Sequence, residues 1–158
     1  MKERMNYVKA APEVYKAMLG VHQQLEQSGL DKRLLDLVYL RASQISRCAF
    51  CIDMHWKDLR ALGVPEQDLY MLNAWHEWPA FTARERAALQ WTESVTLLTE
   101  GFVPDTVYDA ARAEFSEAEL ARLTMAVAAI NGWNRLSVAF RRTAGAYKPA
   151  SATAHVSA

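Results

Sequence analysis

The residues best suited to chemistry are gathered in one stretch, Ser46-Arg-Cys-Ala-Phe-Cys-Ile-Asp-Met-His55. Cys48 and Cys51 are the only two cysteines of the chain, spaced C-x-x-C. On one helix, at roughly 100° per residue, Cys48, Cys51 and His55 share a stripe about 60° wide. Thiols at i and i+3 can close a disulfide with modest adjustment. An imidazole four residues on can take a thiol proton or hold a thiolate. With Ser46 as the cap, Cys48 falls in the first helical turn, where backbone amides and the macrodipole bring a thiol below its usual value of about 8.5. Two thiols, a base and a helix amino terminus make a dithiol redox centre.

A second feature lies upstream. In Leu34-Leu35-Asp36-Leu37-Val38-Tyr39-Leu40 one carboxylate interrupts an apolar run that covers the whole helix circumference. Such a segment belongs in the core, and a lone buried carboxylate is costly unless it is paired. Burial favours the protonated form of an acid, which suits a group that accepts and returns protons near neutral pH. Asp36 could exchange protons with Cys51 or His55, directly or through a water.

Other readings fit the same residues. The cysteines could be two ordinary buried thiols, or half of a zinc site with His55, although no second C-x-x-C is present and a fourth ligand is lacking. A c-type haem needs histidine directly after Cys51, where Ile52 stands. A thioredoxin arrangement needs strands around the motif, and no strand pattern is found. Asp36 equally suits a core carboxylate bonded to a helix end or an arginine. His22, on the apolar stripe of its helix, reads as a satisfied core or interface histidine. His76 reads as capping or packing. Trp133-Asn134-Arg135 reads as buried hydrogen bonding or a subunit contact.

The elements that must position these groups are helical throughout. Gly29, Gly63 and Gly101 each follow a stretch of helical periodicity, where a left-handed residue ends a helix. Pro65 and Pro104 follow two of them, as between one helix and the next. Thr82-Ala-Arg-Glu85 and Ser116-Glu-Ala-Glu119 have capping-box form. No Asn-Gly or Asp-Gly hairpin and no sustained alternation occur. The spacing predicts an all-α domain of about six to seven helices. They run near residues 12–27, 32–44, 47–62, 65–76, 83–99, 104–113 and 117–141, the last with Gly132 inside it. Residues 1–142 form the one domain. The Ala/Ser/Thr-rich tail from Thr143 to Ala158 is expected to be mobile or laid over a neighbouring subunit.

The 158 residues fit one domain with a core of its own. Apolar residues make up 51% and charged residues 23%, which argues for an ordered chain. Eighteen basic and eighteen acidic side chains give zero net charge, so no general drive toward nucleic acid or an anionic membrane exists. The longest apolar runs, such as Met125 to Ile130, fall far short of the roughly 20 residues that a bilayer needs. The amino terminus carries charges but no apolar signal core, so a cytoplasmic location is expected.

The stretch from Leu34 through Cys48-x-x-Cys51-x-x-x-His55 resembles the alkylhydroperoxidase D-like branch of the carboxymuconolactone decarboxylase family. So do Arg84-Glu-Arg-Ala-Ala-Leu89 and Asn131-Gly-Trp-Asn-Arg-Leu-Ser-Val-Ala-Phe-Arg141. The motif is an acidic residue, twelve positions to the first cysteine, then C-x-x-C, then x-x-x-H. The likeness covers about Leu34 to Arg141. It implies a helical homo-oligomer (dimer, trimer or hexamer) that reduces hydroperoxides with its dithiol and carries no metal or other cofactor. The implied partner is a dithiol reductant, a lipoyl-bearing or thioredoxin-like protein. By the same resemblance Cys51 attacks the peroxide, Cys48 resolves the sulfenic acid and donates a proton, and His55 and Asp36 relay protons. The family usually places glutamate at position 36, so the shorter aspartate calls for a water or a backbone shift. Phe50 stands where some members carry histidine. The helix dipole favours Cys48 as the thiolate, whereas the resemblance gives first attack to Cys51. The rival readings are a decarboxylase of a carboxylated lactone and a redox-sensing helical oligomer without turnover.

Overall fold

A computed structural model describes residues 2–149, and among them every regular element is helical. The order is α1 (Tyr7–Ala10), α2 (Pro12–Glu26), α3 (Lys32–Ile45), α4 (Ala49–Ala61), α5 (Glu66–Met71), α6 (Ala83–Thr96), α7 (Leu98–Gly101), α8 (Asp105–Glu114) and α9 (Glu117–Phe140). A single 3-10 turn, Leu72–Ala74, extends α5. No described helix is long and apolar enough to cross a membrane.

The central element is α3, which packs on α4, α6 and α9. Residues 34 to 40 are all buried, as an apolar run without a polar face requires. One side of α3, through Leu35, Val38, Tyr39 and Ala42, joins a core with α6, α8 and α9. The other side, through Leu37 and Leu40, joins a second core with Leu59 of α4, Leu69, Leu72 and Phe81. Asp36 is therefore trapped in the helix that both cores share.

Helix starts follow the expected chemistry. Thr82 and Ser116 close capping boxes with Glu85 and Glu119. Gly29 and Gly63 take φ of +87° and +81° after their helices. Gly101 does not: it ends α7 in helical conformation, and Phe102 takes the positive φ of 55° instead. The segment expected as one helix over 83–99 breaks after Thr96 into α6 and α7. The segment expected over 65–76 is α5 plus the 3-10 turn. The short α1, capped by Asn6, has too few residues to show a period.

Two departures concern the site. Ser46 does not cap α4; it ends α3, its N–H bonded to the Ala42 carbonyl. Arg47 then turns in the left-handed region at φ 53°, and Cys48 itself is the N-cap of α4. The described part of the tail lies over this chain's own α4. The Gly145 N–H donates to Asp53 Oδ2 at 3.1 Å, and Lys57 Nζ donates to the Gly145 and Tyr147 carbonyls, each at 3.1 Å. The expected tail beyond residue 149 lies outside the described residues.

Candidate active site

The loop from α3 to α4 is held from behind by α9. Asn134 is fully buried; its Oδ1 accepts from Ser43 Oγ at 3.0 Å and its Nδ2 donates to Ser46 Oγ at 3.3 Å. These bonds fix the end of α3, hence the turn at Arg47 and the start of α4. Cys48 follows, its sulfur accepting the Cys51 N–H at 3.4 Å as a side-chain cap. The sulfur thus meets the amide end of the helix, as the sequence implied, though from two positions earlier in the helix frame.

Both cysteines are reduced and each is only 1% exposed. Their thiols share one hydrogen bond, and the proton sits unequally in it. Cys48 is pulled down to about 7, first by the bond from the Cys51 thiol, against burial, and then by the Cys51 N–H, the Ser137 hydroxyl and the Phe50 N–H. Cys51 is pushed up, by holding that proton, by burial and by the neighbouring negative sulfur. Cys48 is thus the more acidic of the two thiols.

His55 lies one turn beyond Cys51 and is 2% exposed. Among the described residues neither of its ring nitrogens has a hydrogen-bond partner. Nδ1 stands between two carboxylates, 3.8 Å from Asp36 Oδ1 and 3.9 Å from Asp58 Oδ2. Both gaps exceed a direct hydrogen bond. Asp36 is paired on its other oxygen with Lys32 Nζ at 3.2 Å. Asp58 is raised, first by burial and also by the nearby Asp36 charge, while the Tyr147 hydroxyl donating to it at 2.7 Å opposes the rise. The Asp36, His55 and Asp58 ligand atoms lie within 4.8 Å of one another, a spacing that could also hold a metal ion. The ammonium of Lys32 opposes a cation there.

Each sulfur borders a different cavity. Cys51 and His55 line one of about 250 Å³, walled by Leu19, Met54, Ile130 and Trp133. Cys48 lines another of about 300 Å³, shared with Arg47, Arg141 and Arg142. Ser137 and Phe50 border both, and the Arg142 guanidinium lies 3.7 Å over the Phe50 ring. The four residues singled out in the sequence thus form a chain of neighbours, Cys48 hydrogen-bonded to Cys51, Cys51 sharing a cavity with His55, and His55 beside Asp36.

Sequence reasoning set His22 aside, yet it lines the Cys51 cavity, and its Nδ1 is buried without a partner. Burial lowers its pKa, against the pull of Glu26, whose carboxylate lies 3.7 Å from Nε2. The Tyr39 ring stands between the two imidazoles, 5.3 Å from His22 and 5.1 Å from His55, its own hydroxyl unpartnered. Asp58 and Tyr147 were also missed. Asp58 carries a usable signal, an acid at i+3 from His55; Tyr147, far along the chain, carries none. His76 stacks on Trp75 at 3.7 Å, a packing role as read.

Comparison with known proteins bears on the family and the fold. Residues 12–94 match the family model described as the carboxymuconolactone decarboxylase family. The uncharacterized protein YdfG of Bacillus subtilis is 38% identical over 139 residues, 88% of this chain and 95% of its own length. The crystal structure of ATU0492 from Agrobacterium tumefaciens, a protein of unknown function and candidate antioxidant defence protein AhpD, superposes with a TM-score of 0.89 and 42% identity. That match covers 92% of this chain and 100% of ATU0492. The debrominase Bmp8 shares the fold at a TM-score of 0.79 and 15% identity, over 88% of this chain and 75% of its own.

Proposed function

The chain belongs to the carboxymuconolactone decarboxylase family as an AhpD-like member, and from that premise we propose that it is a thiol-dependent peroxidase. The observation that carries the reading is the placement of two reduced cysteines at one helix start, with the Cys48 sulfur accepting the Cys51 N–H, beside an imidazole that shares a cavity with Cys51.

The cycle begins when the Cys51 proton passes along its hydrogen bond to Cys48, or to His55. The Cys51 thiolate attacks the distal oxygen of a hydroperoxide. The O–O bond breaks, the alkoxide leaves with the proton that Cys48 or His55 had taken, so that Cys48 is again free to act as a thiolate, and Cys51 becomes a sulfenic acid. The Cys48 thiolate then attacks the Cys51 sulfur, hydroxide leaves and is protonated to water, and a disulfide remains. An external dithiol reopens it by exchange through a mixed disulfide, supplying the two electrons spent on the peroxide. His55 and Asp36 move the protons. Their 3.8 Å gap is the expected consequence of aspartate at this position, and one bridging water completes the relay. The reductant is a lipoyl-bearing or thioredoxin-like dithiol protein, and the compartment is the cytoplasm. The assembly is a homo-oligomer, for which exposed Val14, Val21 and Met125 on α2 and α9 offer an apolar face.

The test is peroxide consumption with several dithiol donors, using Cys51→Ser as the control, and sulfenic-acid trapping in each single Cys→Ser variant. Turnover lost in Cys51→Ser, with the trapped adduct on Cys51, supports the cycle. An adduct on Cys48 alone reverses the two roles. Disulfide formation without turnover makes the protein a redox sensor.

One observation favours a second reading. His22, His55 and Arg142 all line the Cys51 cavity, a setting that suits a carboxylate. Decarboxylation of a carboxylated lactone would use those groups and neither thiol. Mass spectrometry after mild peroxide separates the two: loss of two hydrogens, reversed by reductant, belongs to the dithiol reading.

A further inference from the structure

The acids that face His55 are arranged as ligands as well as proton carriers. We propose that Asp36, His55 and Asp58 form an inhibitory site for a divalent first-row cation, zinc above all. The ion is a regulator that comes and goes, not a resident cofactor. Its binding is independent of the peroxidase cycle, and only its inhibitory effect rests on that reading.

Three observations carry it. First, a buried imidazole is aimed at the gap between the acids. His55 is 2% exposed, and among the described residues its Nδ1 has no hydrogen-bond partner. That nitrogen lies 3.8 Å from Asp36 Oδ1 and 3.9 Å from Asp58 Oδ2, and the three atoms fall within 4.8 Å of one another. Second, the oxygens that face Nδ1 are the spare ones. Lys32 holds the other oxygen of Asp36, and the Tyr147 hydroxyl holds the other oxygen of Asp58. Both carboxylates are thus oriented with a free oxygen toward the ring. Third, the charge around the gap is unbalanced. Asp36, Asp58 and Glu26 bring three carboxylates against one ammonium, that of Lys32, which lies 3.2 Å from Asp36 and 3.8 Å from Glu26. Among the described residues Asp58 pairs with no lysine or arginine. With neutral imidazoles two negative charges remain, and one divalent ion cancels them. Lys32 opposes that ion, but it is 56% exposed and can turn away to Glu26.

One nitrogen and two oxygens, with water as the fourth ligand, make a zinc site of the open kind. Calcium and magnesium favour shells of oxygen alone, so the imidazole selects a first-row transition ion. Zinc bonds of about 2.0–2.2 Å put tetrahedral ligands roughly 3.3 Å apart. Each acid must therefore draw in toward His55 by about half an ångström. Asp58 keeps 17% of its side chain exposed, which gives an entry beside Lys32. The new bond uses the lone pair of Nδ1, on a neutral imidazole whose proton sits on Nε2. An imidazole so bound no longer takes up a second proton, and both free carboxylate oxygens are occupied. The relay stops until the ion leaves.

Cobalt(II) is the probe, because it occupies zinc sites and its visible absorption reports its ligands. It is titrated into the full chain carrying Cys48→Ser and Cys51→Ser, which removes the competing thiols. One equivalent should bind, with visible bands that zinc abolishes by displacement. In protein with isotopically labelled histidine, zinc should shift the His55 Nδ1 resonance and leave Nε2 protonated. Added to that background, Asp58→Asn should weaken binding at least about tenfold. Lys32→Gln should tighten it about three- to tenfold, a gain that a misfolded variant would not give. In the natural protein zinc should inhibit peroxide turnover, and EDTA should restore it. Asp58→Asn should raise the inhibiting zinc concentration at least about tenfold, each protein being compared with its own metal-free rate. No binding in the double-serine protein overturns the proposal, as does binding that Asp58→Asn and Lys32→Gln leave unchanged. Inhibition that Asp58→Asn leaves unchanged belongs to the thiols and overturns the inhibitory role. Binding that follows both variants, in a protein that turns over no peroxide, refutes the peroxidase reading and leaves the metal site standing.

Discussion

Removing the Cys51 thiol should return Cys48 to an ordinary cysteine. Cys48 sits at about 7, with the Cys51 thiol as the largest cause, against an ordinary value of 9.0. At pH 7 about half of Cys48 is then thiolate, where an ordinary thiol would be about 1% ionised, a ratio near fifty. Intrinsic nucleophilicity falls with basicity, with a Brønsted slope of about 0.4–0.5, so a drop of two units costs roughly six- to tenfold. The net advantage at pH 7 is therefore about five- to eightfold in rate, and the midpoint of the pH profile shifts by two units. The assay is alkylation of Cys48 by iodoacetamide, which is small and uncharged, followed by peptide mass spectrometry from pH 5 to 10. In Cys51→Ala the midpoint should rise to 9 or above, because burial then acts with weaker opposition. In Cys51→Ser, whose hydroxyl still donates, it should stay between the two. A Cys51→Ala midpoint that remains near 7 would refute the reasoning. The thiolate would then belong to the helix amides and Ser137 alone.

Four further outcomes are expected. Asp36→Glu supplies the missing methylene, closes the 3.8 Å gap to His55, and should raise peroxide turnover severalfold, whereas Asp36→Asn should lower it at least about tenfold. Asp58→Asn should lower turnover less than Asp36→Asn does, and the double variant should lose more than the product of the two, since both acids face one imidazole nitrogen. Conformational stability, compared with a Cys48→Ser, Cys51→Ser variant by urea titration, should follow pH with a definite sign. Below pH 7 folded and unfolded pairs hold the same protons; between 7 and 9 the folded pair holds fewer, so stability rises, by up to about 2.7 kcal/mol. Above 9 the unfolded Cys51 ionises while the folded one, raised by its bond to Cys48, does not, and the gain declines. Asn134→Ala should cost about 1–3 kcal/mol, read from the urea midpoint, because Ser43 and Ser46 lose their partner and the turn at Arg47 loses its anchor.

Much of the fold was legible because its signals are local. The capping boxes at Thr82 and Ser116 bond within four residues. The apolar run around Asp36 has no solvent face to offer, and it became the helix that two cores share. The errors fall where a local signal was absent. No glycine marks the break between α3 and α4, since an arginine makes the left-handed turn. Ser46 looked like a cap because serine caps helices, but the cap is the sulfur two residues later. Phe102 likewise takes the conformation that Gly101 seemed placed to adopt. The site divides the same way. Cys48, Cys51 and His55 are joined by one helix, so spacing alone aligned them. His22 comes from α2, and its place beside Cys51 depends on how α2 packs on α9, which no spacing encodes.

The shortened acid at position 36 illustrates how a site can absorb a substitution. Proton transfer from Cys51 to His55 would create an imidazolium in a dry setting, which is costly unless negative charge stands nearby. Asp36 alone is an imperfect counter-charge, since it is too short to touch Nδ1 and its other oxygen is paired with Lys32. Asp58 faces the same nitrogen at almost the same distance, from one turn along α4. Its hydrogen bond from Tyr147 orients the carboxyl and ties it to the returning tail. Two acids at 3.8 and 3.9 Å can stabilise an imidazolium that neither holds directly. Asp58 is raised, first by burial and also by the Asp36 charge, so it takes a proton more readily than an ordinary carboxylate. On this reasoning the acidic member of the relay is a pair, one from each helix, and the length lost at Asp36 is made up by position at Asp58.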